Sequence, residues 1–152
     1  MDDALAWNGN WAWSLPLIVI TAMFHVVGLV FINEKIMLVR DYLRRKHNFL
    51  LAFAPIMGMV TLWVTLLHAV EAGIWAGMYW FLGALTDGKA ALLYSLGAMT
   101  TYGHASSYLA PHWQLMGTLE ALNGVILFGL TTAFLFNMIR EIWPTGNSAE
   151  QL

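Results

Sequence analysis

Residues 90–99 form an apolar run about half as long as a membrane crossing, and the sequence after it is poor at continuing a helix. Ten residues of helix cover about 15 Å, whereas the hydrocarbon core of a bilayer is about 30 Å thick. The run leads into Thr-Thr-Tyr-Gly at 100–103. Irregular backbone is tolerated at membrane depth only where protein or a watery pathway surrounds it. This stretch therefore predicts a re-entrant segment and a candidate transport site.

Composition favours an integral membrane protein. Hydrophobic residues make up 59% of the 152 residues and charged residues 11%, against roughly 25% charged in soluble domains. The absence of cysteine excludes disulfides and thiolate metal sites, and a net charge of −2 gives no reason to expect nucleic acid as a partner. The acidic start does not resemble a signal peptide. No phosphate loop, nucleophile triad or zinc-ligand spacing is visible, so we expect neither enzymatic activity nor a cofactor.

Three segments are long and apolar enough to cross a membrane. They are Trp13–Ile32, Phe49–Val70 and Leu115–Ile139. The segment Ile74–Leu85 is also apolar but too short to cross, and Asp87 is a plausible N-cap for the short helix that follows it. The expected fold class is therefore an all-α membrane protein with three transmembrane helices plus one re-entrant helix and its loop.

The basic residues predict the orientation. Six of the seven fall on one side of this topology: Lys35, Arg40, Arg44, Arg45, Lys46 and Arg140. The positive-inside rule places that side in the cytoplasm, with the N-terminus outside, as expected for a multi-pass protein of the plasma membrane. A fourth full span would separate Arg140 from the other five. The segment Lys35–Lys46 is either an orientation signal on a solvated connector or a contact for anionic lipid headgroups.

The loop after the short helix has residue types suited to cation binding. Backbone carbonyls of an extended strand can replace the hydration shell of a cation, and glycine permits the unusual torsions that such a strand needs. The predicted filter consists of Thr100, Thr101, Tyr102, Gly103 and His104, with a monovalent cation, K⁺ or Na⁺, at Thr101, Tyr102 and Gly103. Because one chain supplies one side of a pore, this hypothesis requires a symmetric ring of subunits. The alternative is an ordinary turn that caps a buried helix.

Residues 91–103 resemble the pore helix and filter entrance of the tetrameric potassium-channel superfamily, whose pattern runs aromatic-Ser-x-x-Thr-x-Thr-Thr-Val-Gly-Tyr-Gly-Asp. The matching residues are Tyr94, Ser95, Met99, Thr100, Thr101 and Gly103. Residues 128–133 resemble the inner helix of small bacterial two-span channels, and Gly124 falls at the glycine hinge of that family. The resemblance implies a homotetramer with a pore domain at 49–140. The extra helix and basic connector at 1–48 have no counterpart in the two-span channels, and 141–152 is expected to be a short cytoplasmic tail.

The filter departs from the family pattern at four positions. Relative to that pattern, Tyr102 replaces Val, His104 replaces Tyr, Ala105 replaces the second Gly and Ser106 replaces Asp. Alanine is penalised at positive φ, so Ala105 is expected to disturb the backbone at the outer end of the filter and with it the outer ion sites. The expected pore conducts potassium or is weakly selective for monovalent cations, and the departures leave a plugged filter as a further alternative.

The last predicted span carries a stripe and a buried acid. Val125, Phe128, Thr132 and Phe136 recur at three- and four-residue spacing and share one face. The resemblance implies that they line the inner pore, with Phe136 near a gate that closes by dewetting. The alternative is that they pack against neighbouring helices. Glu120 lies deep in the span, where a carboxylate is functional by default. We expect Glu120 to brace the filter, with Tyr94, Ser95 or His104 as its partner, and Asn123 to bond across helices.

The histidines and the remaining acids have further interpretations. Candidate pH sensors are His25, His68, His104 and His112. One histidine in each of two spans is also the pattern of a haem-binding electron carrier, which needs both histidines at the same membrane depth. His25 lies mid-span and His68 near an outer end, so their depths do not match this pattern. Glu71 and Asp87 are predicted to lie at the outer mouth. The expected function is passive cation conduction, and the other interpretation is a non-conducting scaffold or regulatory subunit.

Overall fold

The computed structural model describes residues 3–44, 48–103 and 108–143. Its helices are α1 (Asp3–Arg44), α2 (Phe49–Phe81), α3 (Gly88–Met99) and α4 (Gln114–Ile142), with a 3₁₀ turn at Pro111–Trp113. Three of them, α1, α2 and α4, contain segments long and apolar enough to cross a membrane. This confirms an all-helical fold over the described residues, with three candidate spans and a short helix between the second and third.

Two of the long helices extend further than the sequence predicts. Helix α1 begins at Asp3 and not at Trp13, so Pro16 lies inside the helix and not in its first turn. Helix α2 continues to Phe81 and includes most of the segment Ile74–Leu85 that was expected to be separate. It continues because buried residues keep recurring on one face up to Tyr79. This extension moves His68 and Glu71 from the end of a span to the middle of a helix.

The long helices form a bundle with two distinct ends. At the loop end, Asn10 near the start of α1 bonds to Met116 near the start of α4. At the basic end, the buried residues Ile36, Val60 and Met138 pack together. Helices α1 and α4 therefore run in the same direction, and α2 is antiparallel to both.

Helix α3 runs inward from the loop end alongside the first half of α4. Its N-terminus is capped as predicted, because Asp87 accepts a hydrogen bond from Ala90 N at 2.8 Å. A Cβ added to Gly124 would lie 2.7 Å from Met99 Cα, so the end of α3 rests directly on the backbone of α4. The chain is back at the loop end by residue 110, where Ala110 N donates to Ala84 O at 3.4 Å.

The first residues after α3 form a helix cap and not an extended strand. Thr100 keeps a helical conformation, while Thr101 and Gly103 have φ values of +56° and +85°. Thr101 N donates to Ala98 O at 3.1 Å, and Gly103 N donates to Gly97 O at 3.3 Å. Hydrogen bonds of this kind satisfy the last carbonyls of a helix. Residues 100–103 thus form a capping turn within this chain, and His104 lies outside the described residues.

The contact between α3 and α4 gives the first testable prediction. Gly124→Ala is expected to destabilise the protein by about 1–3 kcal/mol, because its Cβ meets backbone that cannot rotate away. Gly129→Ala in the same helix is the matched control, since open space surrounds that position. Thermal unfolding of the purified protein in detergent measures both. Equal midpoints for G124A and G129A would contradict the close contact.

Candidate functional site

The residues of the predicted pore stripe are exposed on one face of α4. Val125, Phe128 and Phe136 are 55%, 39% and 63% exposed, and Thr132 is exposed as well. Thr132 Oγ1 donates to the carbonyl of Phe128 in its own helix at 2.8 Å. Of the predicted filter residues, Thr100, Thr101, Tyr102 and Gly103 are exposed too. These side chains are thus available to lipid, to water or to another copy of the chain.

The polar residues that the chain brings together lie instead in the core of the bundle. Within the residues whose burial is described, the buried polar side chains are Asn10, Ser14, Thr21, His25, Glu71, Ser95, Glu120, Asn123 and Thr131. In a membrane such groups need partners inside the protein, because the hydrocarbon offers none. Two clusters and two bridging asparagines supply partners to all of these side chains except Ser14, whose hydroxyl has no hydrogen-bond partner among the described residues.

The first cluster surrounds the fully buried Glu120. Tyr79 Oη donates to Glu120 Oε2 at 2.6 Å, and Ser95 Oγ contacts Glu120 Oε1. Ser95 Oγ also lies 2.8 Å from the carbonyl oxygen of Ala72. Ser95 is one of the partners expected from the sequence. Tyr79 is not, since it lies in the segment Ile74–Leu85, which is predicted to be separate from the spans. Tyr94 packs edge-on against Tyr79 at a centroid distance of 5.4 Å.

The hydrogen atoms in this cluster balance when Glu120 is a neutral acid. A serine hydroxyl holds one hydrogen, and a carbonyl oxygen can only accept. When Ser95 donates to Ala72 O, the hydrogen between Ser95 Oγ and Glu120 Oε1 must come from Glu120. This arrangement leaves no charge on the Glu120 cluster. It makes Glu120 a brace that joins α2, α3 and α4.

The second cluster joins α1, α2 and α4 around Glu71. His25 Nδ1 lies 2.8 Å from Glu71 Oε1, and His68 Nδ1 lies 3.2 Å from Glu71 Oε2. The opposite nitrogens, Nε2 of His25 and of His68, lie 3.0 and 3.2 Å from Thr131 Oγ1. Glu71 is completely buried, so its predicted position at an outer mouth is wrong. Asp87, the other acid predicted there, is exposed.

The prediction that His25 and His68 differ in depth is also wrong. Their rings are 5.0 Å apart between centroids, because α2 continues beyond Val70 and His68 is therefore mid-helix. Rings this close leave no room for a porphyrin between them. One sequence signal could have found the site: His68 and Glu71 are spaced i, i+3 and share a helix face. His25 joins them from 46 residues before Glu71, which no local pattern reveals.

Two asparagines fasten α1 to α4. Asn10 Oδ1 accepts from Met116 N at 2.8 Å, and Asn10 Nδ2 donates to His112 O at 2.6 Å. Asn10 thus satisfies one of the free N–H groups at the start of α4. Asn123 Nδ2 donates to Thr21 Oγ1 at 2.9 Å, which confirms the expected bond across helices.

Comparison of the chain with family models, with curated proteins and with solved structures found no match. Fold analogy therefore gives no information on function. The function of this chain is therefore inferred from its residue patterns and from the geometry of its polar clusters and exposed faces.

Proposed function

We propose that four copies of this chain form a passive channel for monovalent cations, K⁺ or Na⁺, in the plasma membrane. The observation that supports this proposal is the contact of Met99 with Gly124. Gly124 lies ten residues after the start of α4, which is about 15 Å along the helix. The end of α3 and the turn after it are therefore about halfway through a 30 Å hydrocarbon core.

The exposure of this turn at that depth supports an assembly. Tyr102 is 90% exposed, and Thr100, Thr101 and Gly103 are exposed with it. Irregular backbone cannot face lipid in the hydrocarbon region, because its polar groups would have no partners. Water in a pore, or the same turn in neighbouring copies, provides hydrogen-bond partners for these backbone groups that a single chain does not offer. A ring of four copies around a central axis supplies both.

The exposed stripe on α4 fits the same arrangement. Val125 follows the residue that touches the end of α3, so the stripe begins at the depth of the turn. It continues through Phe128 and Thr132 to Phe136 toward the basic end. In the proposed tetramer these residues line the inner pore, and Phe136 provides an apolar constriction that can gate by dewetting.

A non-conducting scaffold or regulatory subunit is the second candidate function. The observation in its favour is the capped conformation of residues 100–103, in which Thr101 and Gly103 bond back to α3. Backbone in this conformation differs from an extended strand lined with carbonyl oxygens. The scaffold keeps the tetramer and the re-entrant segment but does not conduct.

A current measurement on Gly103→Ala separates the two functions. We expect the wild-type protein in a planar bilayer to conduct, and G103A to lose or change the conductance, because alanine at φ +85° costs about 1–2 kcal/mol. Gly83→Ala is the matched control. Gly83 has φ +65°, also with open space around it, but it lies at the end of α2.

The same recordings identify the permeant ion. Opposed K⁺ and Na⁺ solutions give the selectivity from the reversal potential, and chemical cross-linking gives the number of copies. Equal currents in wild type, G103A and G83A would contradict a filter at this turn. Wild-type protein that is inserted, tetrameric and silent across voltage and pH would favour the scaffold.

A further inference from the structure

We propose that His25, His68 and Glu71 bind one divalent transition-metal ion of the zinc type, and that Thr131 holds the two imidazoles from behind. This site is separate from the proposed filter and does not depend on conduction or on assembly. It lies within one chain, at the point where α1, α2 and α4 meet. Its bound ion would link α1 to α2 directly and both to α4 through Thr131.

The donor atoms match this class of ion in kind and in spacing. Two imidazole nitrogens and one carboxylate oxygen are a ligand set that zinc accepts in three-residue sites. The candidate atoms of all three residues lie within 4.8 Å of one another. A tetrahedral ion with bonds of about 2.0–2.1 Å holds its ligands about 3.3 Å apart. The observed separations from Nδ1 to the carboxylate, 2.8 Å to Oε1 for His25 and 3.2 Å to Oε2 for His68, lie within about 0.5 Å of this spacing, and the two imidazoles, whose donor atoms lie within 4.8 Å, would move closer together on binding.

Two buried atoms in the cluster lack hydrogen-bond partners. His68 Nδ1 and Glu71 Oε2 are 3.2 Å apart, but their geometry does not make a hydrogen bond, and neither atom has a hydrogen-bond partner elsewhere in the described part of the chain. The Glu71 side chain is 0% exposed and the His68 side chain 12%. An unsatisfied carboxylate oxygen is costly in a region without water. A cation placed between these atoms satisfies both of them.

Thr131 explains why both imidazoles are turned the same way. Its hydroxyl carries a single hydrogen, so it can donate to only one of the two Nε2 atoms that face it. When both Nδ1 atoms bind a metal, both Nε2 atoms carry a hydrogen and donate to the two lone pairs of Thr131 Oγ1. Ligand histidines in metal sites characteristically donate their second N–H to such a group, which fixes the ring orientation.

The ion has a route into the site. Glu71 and His25 are fully buried, whereas the His68 side chain keeps 12% exposure. The His68 ring stacks on Phe128 at a centroid distance of 4.3 Å, and Phe128 is 39% exposed on α4. An ion would therefore approach from the side of His68, where Phe128 covers the ring.

Zinc binding to the purified full chain in detergent tests the proposal. The affinity tag must contain no histidine, and bound zinc is counted by elemental analysis after gel filtration. We expect one zinc ion per chain. Glu71→Gln, which keeps the side-chain shape, is expected to weaken binding at least 10-fold, and Thr131→Val by about 10–100-fold. His112→Gln removes an exposed histidine outside the cluster and is expected to bind zinc like the wild type.

Spectroscopy and a second variant keep the test decisive. X-ray absorption at the zinc edge is expected to show two imidazole ligands and Zn–N distances of about 2.0–2.1 Å. If E71Q does not fold, as judged by gel filtration and circular dichroism, T131V carries the comparison. A wild-type chain without stoichiometric zinc overturns the proposal. Undiminished zinc binding in a folded E71Q or T131V variant overturns it as well.

Discussion

Deleting residues 1–48 is expected to leave a chain that cannot fold into a stable membrane protein. The resemblance to two-span channels suggests that 49–140 is a complete pore domain, but α1 supplies partners to the core of that domain. Without α1, Thr131 and Glu71 lose His25, Asn123 loses Thr21, and Met116 N loses Asn10. Each buried polar group left unsatisfied costs about 1–3 kcal/mol, so the combined loss is comparable to the whole stability of a typical domain.

Expression with and without a separate first helix measures this effect. We expect the 49–152 fragment to aggregate or to be degraded, and to be recovered when residues 1–48 are co-expressed as a second polypeptide. Recovery is expected to fail when the co-expressed segment carries His25→Leu together with Asn10→Leu, since the apolar surface stays but the hydrogen bonds are lost. A monodisperse 49–152 fragment that melts like the full chain would contradict the central position of α1.

Glu120→Ala is expected to lower the free energy of unfolding by about 2–4 kcal/mol, whereas Glu120→Gln changes it by less than about 1 kcal/mol. The alanine leaves a cavity and a buried Tyr79 hydroxyl without its acceptor. The glutamine side chain fits the hydrogen pattern of a neutral acid. Its amide N–H₂ can donate to Ser95 Oγ, and its oxygen can accept from Tyr79 Oη.

The comparison of the two variants decides what Glu120 does. Denaturant unfolding in detergent gives the free energies, and Thr118→Ala, at an exposed position in the same helix, controls for substitution in α4. If E120Q is as damaging as E120A, the negative charge is what matters and the neutral-acid interpretation is wrong. If both variants keep wild-type stability, Glu120 is not a brace.

The positions of the helices could be predicted from the sequence better than the contacts between them. Long apolar runs, the short helix after Asp87 and the cross-helix bond of Asn123 follow from hydropathy, capping chemistry and the cost of buried polar groups. The end of α2 was missed because a segment rich in Trp, Tyr and Gly suggested a separate element, although its buried face continues to Tyr79. That single boundary also placed Glu71 and His68 wrongly.

The histidine cluster was missed for a different reason. Its members come from three helices, and the residue that completes it, Thr131, has no distinctive neighbours in the sequence. Contacts between residues far apart in the chain depend on how helices rotate against one another, and a single sequence does not give that angle. At the turn 100–103 the residue types do identify a candidate site. Its conformation is not evident from the sequence, because it depends on hydrogen bonds back to α3.

The hydrogen bonds of α1 also fix its rotation about its own axis. Asn10, Thr21 and His25 lie within about 60° of one another around the helix, at about 100° per residue, although they span about 22 Å along it. A roll of α1 by a single residue would turn all three away from α2 and α4 at once. The first helix is therefore fixed in one rotational setting, and a conformational change in this molecule has to move the other helices relative to α1.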